Sequence, residues 1–220
     1  MKSISTPGTA IFLSRIYSLL YKLYGPRHWW PAKTAFEVCV GAILTQNTSW
    51  SNVEKAIKNL KKANCLRPDS LSRISLSQLA KLIRPCGYYN LKAQRLKSFL
   101  RYLNLNYGGS LRAMKKKPIN ILRDELLGIK GIGPETADSI LLYALKKPVF
   151  VIDAYTKRIM SCLKICQKDD GYDKIQSLFM SSLPVQERLF NEYHALIVEH
   201  AKNVCKSKPS CNKCILLKRR

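Results

Sequence analysis

The sequence predicts an all-α protein, on three observations. Apolar residues recur at helical spacing through almost the whole chain, no alternating strand pattern bounded by hairpin turns occurs, and Pro and Gly fall between the periodic stretches. Helices are expected near 10–24, 34–45, 51–62, 76–84, 90–105, 119–127, 134–145, 153–163, 171–181 and 185–201. Gly25 with Pro26, Pro68, Pro85 with Gly87, Gly108 with Gly109, Pro118, Gly131 and Gly133 with Pro134, Pro148, Pro184 and Pro209 mark the joints. The first stretch, 11–24 (IFLSRIYSLLYKLY), has the apolar content of a signal-peptide core. Arg15 and Lys22 interrupt it and leave a polar stripe, so an amphipathic helix is expected there. No run of about eighteen uncharged apolar residues occurs, so the expectation is a soluble, intracellular chain with no targeting or membrane-spanning segment. After Pro148 a short apolar run at 149–152 leads into Asp153, and a domain crossing is expected at that point.

A chain of 220 residues with 46% hydrophobic content can bury a substantial core, in one domain or in two small ones. Lys and Arg number 38 against 14 acidic residues, and a formal charge of +24 calls for a polyanionic partner. Nucleic acid is the first candidate, with a merely soluble basic surface or a membrane surface as alternatives. Cys39, Cys65, Cys86, Cys162 and Cys166 are scattered through apolar or helical segments, whereas Cys205, Cys211 and Cys214 crowd the C-terminus. That usage predicts reduced core thiols plus a metal or cluster site, not a disulfide framework.

The most informative segment is 126–137 (LLGIKGIGPETA). Gly131 and Gly133 are placed to take positive φ and to let another backbone approach, and Pro134 suits the first turn of the next helix. Two helices joined by such a turn leave N–H groups at a helix N-terminus that can hold a phosphate without reading base sequence. Glycines that merely make the turn are the plainer alternative. About twenty residues on, Asp153 precedes a helical run and either caps it or serves as a functional carboxylate.

The hairpin followed by 151–158 (VIDAYTKR) resembles the signature of the helix-hairpin-helix DNA glycosylases of the endonuclease III superfamily. Segments 41–48 (GAILTQNT) and 87–93 (GYYNLKA) match two further family segments in the same order, so the resemblance covers nearly the whole chain. It implies two helical domains with a DNA-binding cleft. One is a six-helix barrel at 34–146 that carries the helix-hairpin-helix; the other is built from both chain ends, 1–33 and 147–220. It also implies that Gly131, Gly133, Lys130 and Lys157 lie along duplex DNA and that Asp153 is the catalytic carboxylate. The chemistry agrees, because breaking a glycosidic bond builds positive charge on the sugar and a fixed carboxylate stabilises it.

Several positions define a branch of that superfamily. Bifunctional members place a lysine two residues beyond the second hairpin glycine to form a Schiff base; here that residue is Glu135, which cannot form an imine. The expectation is a monofunctional enzyme without efficient lyase activity. Segments 28–31 (HWWP) and 46–50 (QNTSW) look like the base pocket of the 3-methyladenine glycosylase branch, with Trp29 and Trp50 as stacking faces and Pro31 as a packing wall. An N-alkylated purine carries positive charge, and an indole face attracts a cation while stacking on a flat ring. Family members fill the gap left by a flipped base with side chains that here would be Gln46 and Tyr88. The substrate is expected to be an alkylated purine in duplex DNA. Uracil or thymine mismatches, oxidised pyrimidines, or a catalytically silent DNA binder are the alternatives, and the architecture requires no partner chain.

Endonuclease III ends in four cysteines that hold a [4Fe–4S] cluster, and Cys205, Cys211 and Cys214 are similar to the first three. Arg220 stands about where the fourth belongs. Three thiolates imply a labile [4Fe–4S] cluster, a fourth ligand from outside the chain, or a degenerate relic that binds none; zinc would face the same shortage unless a residue such as His200 joined in.

Overall fold

The structure, a computed structural model, describes residues 7–27, 29–30, 32–206, 212 and 214–217. It is all-helical, with no strand among the described residues. The chain divides into two compact units, one formed by Met1–Pro31 with Pro148–Arg220 (the terminal unit) and one by Ala32–Lys147 (the middle unit).

The middle unit contains α2 (Ala35–Leu44), α3 (Trp50–Lys62), α4 (Pro68–Arg73), α5 (Leu76–Leu82), α6 (Tyr89–Tyr107), α7 (Leu111–Lys115), α8 (Ile119–Leu127) and α9 (Pro134–Ser139). A π-helical turn, Ile140–Ala144, continues α9. Helix α2 is its axis. Phe36 through Leu44 are all buried, as the absence of a polar face in AFEVCVGAIL requires. Around it pack α3, α6, α9 and the π turn. Its N-terminus is capped by Thr34, whose Oγ1 accepts from the Glu37 N–H at 3.1 Å, and the buried Glu37 carboxylate pairs with Lys61 at 2.6 Å. Helix α5 begins in a capping box, with Ser75 and Gln78 satisfying each other's backbone N–H groups. The short helices α4 and α7 are additional to the ten expected. At six and five residues they carry too few apolar positions for a periodicity to register.

The terminal unit contains α1 (Pro7–Tyr24), α10 (Ala154–Cys162), α11 (Tyr172–Ser182) and α12 (Glu187–Asn203). Helix α1 is amphipathic as expected: Leu13, Ile16 and Leu20 are buried, while Arg15 and Lys22 are exposed. It packs on α11 and α12. No helix among the described residues is long and apolar enough to cross a membrane. The run at 149–152 has no regular secondary structure and is wholly buried. Its anchor is Phe150, stacked on Phe179 with centroids 4.0 Å apart and met edge-on by Phe190, Tyr193 and His194. Each such aromatic pair contributes about 0.5–1.5 kcal/mol beyond area burial. Gln176 donates to the Phe150 carbonyl at 2.7 Å, and Tyr172 Oη accepts from the Ile152 N–H at 3.3 Å. The segment that delivers Asp153 is therefore held by rings on one side and by paired backbone groups along its length.

Candidate active site

Asp153 has extended backbone and is the N-cap of α10; its Oδ1 accepts from the Thr156 N–H at 2.7 Å. The other oxygen, Oδ2, lies 3.6 Å from His194 Nε2, and the carboxylate keeps 13% of its surface exposed. Burial pushes its pKa up, but the electrostatic attraction of nearby His194 and the hydrogen bonds of Thr156 outweigh that, and the net shift is downward. The capping and functional roles thus coexist. One oxygen closes the helix N-terminus, the positive end of the α10 dipole favours the anion, and the ionised group still reaches solvent.

In the middle unit, the turn joining α8 to α9 buries Ile129 and Ile132 and exposes Lys130, Gly131, Gly133 and Glu135. The two glycines differ. Gly131 has φ +89°, and a Cβ there would collide with the Arg95 side chain. Gly133 corrects the sequence expectation: its φ of −95° and ψ of 178° are extended backbone open to any residue, and nothing lies within 4 Å of a Cβ built on it. The turn asks no special backbone angle of it.

Gln46 reaches this turn. Its amide nitrogen donates to the Gly131 carbonyl at 3.0 Å and to Thr136 Oγ1 at 2.9 Å, and its amide oxygen accepts a short hydrogen bond from Arg95. Sequence reasoning gave Gln46 to the gap in the DNA stack; the structure uses its amide to tie the α2–α3 loop to the hairpin. Tyr88 is a large, 71% exposed side chain in left-handed backbone, φ 46° and ψ 31°, directly before α6. A non-glycine residue there is strained by roughly 1–2 kcal/mol.

Both loops hang from one buried group. Lys92 is 1% exposed, and its ammonium donates to the carbonyls of Leu44 at 3.0 Å and Cys86 at 2.8 Å, just before Gln46 and Tyr88 respectively. Burial lowers its pKa. Neither Lys92, Arg95 nor His194 was found from sequence. The available signal was a basic residue at a core position of an amphipathic helix: Lys92 sits beside Ala93 and in register with Leu96 and Phe99.

Trp29 packs edge-on against Trp30 at 6.1 Å and carries the Lys202 ammonium 5.1 Å from its ring centroid. Trp50 begins α3, with its indole N–H donating to Glu54 at 2.9 Å. Pro31 lies outside the described residues. Lys130 is exposed on the hairpin, whereas the Lys157 ammonium donates to the Asp170 carbonyl at 2.6 Å and braces the loop after α10.

Cys205 and Cys214 are buried free thiols, and Cys211 lies outside the described residues. Cys214 Sγ is 3.3 Å from Nε2 of the buried His200, whose Nδ1 meets Tyr24 Oη at 3.0 Å. Among the described residues, which leave out Cys211, no group of three His, Cys, Asp or Glu side chains is arranged to hold a metal.

A capped, ionised carboxylate on one helical unit and a glycine-edged helical hairpin on another define a protein of the helix-hairpin-helix class. The chain belongs to the HhH-GPD superfamily of base excision DNA repair proteins, whose family model matches residues 40–185. It is 50% identical over 201 residues, 91% of each chain, to a protein of Methanocaldococcus jannaschii provisionally named as a DNA repair glycosylase. Among solved structures it is similar to the H. pylori 3-methyladenine DNA glycosylase MagIII bound to 1,N6-ethenoadenine, with 32% identity, a TM-score of 0.75 and coverage of 88% of this chain and 97% of that one. A non-covalent endonuclease III–DNA complex shares the fold, with 23% identity, a TM-score of 0.82 and coverage of 95% and 94%.

Proposed function

We propose that this member of the superfamily is a monofunctional DNA glycosylase that excises an alkylated purine, such as 3-methyladenine, from duplex DNA. The observation that carries the reading is an ionised, fixed Asp153 combined with Glu135 at the lyase-lysine position. In the proposed reaction the bond from C1′ to the base nitrogen breaks and its electron pair leaves with the base. Asp153 stabilises the cationic sugar, then takes a proton from the water whose oxygen bonds to C1′. The products are a free base and an intact strand with an abasic site.

The likeness to MagIII, whose structure holds 1,N6-ethenoadenine, supports a modified purine as substrate. Trp29 and Trp50 each offer an indole for stacking on a cationic base, and Tyr88 offers an exposed ring for the gap it leaves. The N–H groups beside Gly131 and Gly133, with Lys130, would hold the phosphates. Cys205, Cys211 and Cys214 would supply three of the four thiolates of a cluster, whose contribution would be to brace the basic C-terminal segment.

A panel of duplexes carrying 3-methyladenine, 7-methylguanine, uracil, a thymine mismatch or an oxidised pyrimidine tests the substrate. Release confined to the alkylated purines supports the proposal, and release confined to the pyrimidines overturns it. Borohydride trapping of a covalent protein–DNA adduct would overturn the monofunctional assignment.

A further inference from the structure

We infer that His194 is a positioning residue for Asp153, holding the second carboxylate oxygen and keeping the group ionised; this role rests on the glycosylase reading above. The carboxylate is gripped at both ends. Thr156 N–H holds Oδ1 from α10 itself, and His194 Nε2 faces Oδ2 from α12, which packs against α10. At 3.6 Å the contact is beyond a formed hydrogen bond but within ion-pair range.

His194 is itself set by the core. Its side chain is 7% exposed, and its ring meets Phe150 edge-on at 6.5 Å and 87°. The aromatic cluster that anchors the run at 149–152 therefore also fixes the imidazole, so Asp153 and its partner are placed by one block of packing.

The arrangement answers a specific difficulty. A carboxylate sheltered enough to act on a sugar in a dry site is driven by burial toward its neutral form, and a neutral acid cannot stabilise an oxocarbenium ion. Polar groups on the neighbouring elements have partners of their own among the described residues. On α12, Tyr193 donates to the Leu13 carbonyl of α1, and Tyr17 of α1 packs edge-on against the Tyr193 ring. On α11, Tyr172 accepts from Ile152 and Gln176 donates to Phe150. On α10, Lys157 donates to Asp170 and Arg158 to the Cys205 carbonyl.

The test compares wild type with His194→Gln and His194→Ala. The Asp153 carboxyl is titrated by carbon NMR without substrate, and single-turnover release of 3-methyladenine from saturating duplex is followed against pH. In both variants the Asp153 midpoint and the acidic limb of the release profile move to higher pH. At neutral pH the rate falls about ten- to a hundredfold, the cost typical of losing an orienting partner, while duplex affinity stays within about threefold. Free imidazole restores part of the rate to His194→Ala. If that variant does not fold, His194→Gln, which keeps a side chain of similar reach, carries the comparison. An unmoved midpoint and an unmoved acidic limb overturn the inference. Wild type that releases no base from any duplex defeats the glycosylase reading alone, because the carboxyl titration is read without DNA.

Discussion

The hairpin turn at 129–133 presents backbone to solvent, with its two isoleucines turned inward and its glycines outward, whereas the Asp153 site presents one side chain held by other side chains. The first is suited to a ligand that is the same at every position along a duplex, the phosphate. The second is suited to a charge that develops at one atom for a moment. On the glycosylase reading proposed above, binding and chemistry are built from different materials, so they should respond to different perturbations.

The largest expected difference is in salt. With a formal charge of +24 and a backbone-reading hairpin, duplex affinity should fall by roughly a thousandfold or more between about 50 and 200 mM salt, as for proteins making six to ten phosphate contacts. The single-turnover rate on saturating DNA should change little, because Asp153 and His194 are sheltered. Fluorescence anisotropy and quenched-flow base release over that range check both halves. Equal loss of rate and affinity would erase the distinction.

A second perturbation reaches through the core. Lys92→Met removes the ammonium from the Leu44 and Cys86 carbonyls and leaves both buried acceptors without it. At about 1–3 kcal/mol for each unsatisfied group, an overall loss of roughly 2–6 kcal/mol is expected in urea unfolding. The Gln46 and Tyr88 loops loosen together, so hydrogen exchange should rise in both. Exchange rising in only one would show that they are held separately.

The smallest perturbation separates the two glycines. Gly131→Ala places a Cβ against Arg95 in left-handed backbone and should cost about 1–3 kcal/mol of stability, along with duplex affinity. Gly133→Ala meets no atom and no forbidden angle. Its stability should change by less than about 1 kcal/mol, the propensity difference between the residues, while affinity falls as the methyl crowds the N–H groups. Equal destabilisation by both would contradict the assigned geometry.

Much of this was legible in the sequence, for reasons visible residue by residue. Helical periodicity and Pro/Gly punctuation suffice for α1, α2 and α12, whose apolar positions run over several turns; α4 and α7 are too short to carry a period. The capping role of Asp153 was legible because an aspartate directly before a helical run is a cap signal, and the structure shows that cap. Gly133 was misread because a glycine in a turn suggests a special angle, and its backbone is extended. His194, Lys92 and Arg95 were illegible because their partners are 41, 48 and 49 residues away in sequence, at Asp153, Leu44 and Gln46. A buried polar residue announces that it needs a partner without saying which.

The most direct test of the account is release of free base from methylated duplex DNA by wild type and by Asp153→Asn in parallel, with strand cleavage read separately. The account predicts free 3-methyladenine from wild type without strand breaks, and a rate at least about a hundredfold lower in the variant with duplex affinity retained. Asp153→Asn that releases the base at the wild-type rate, or wild type that breaks the strand as it does so, would contradict it.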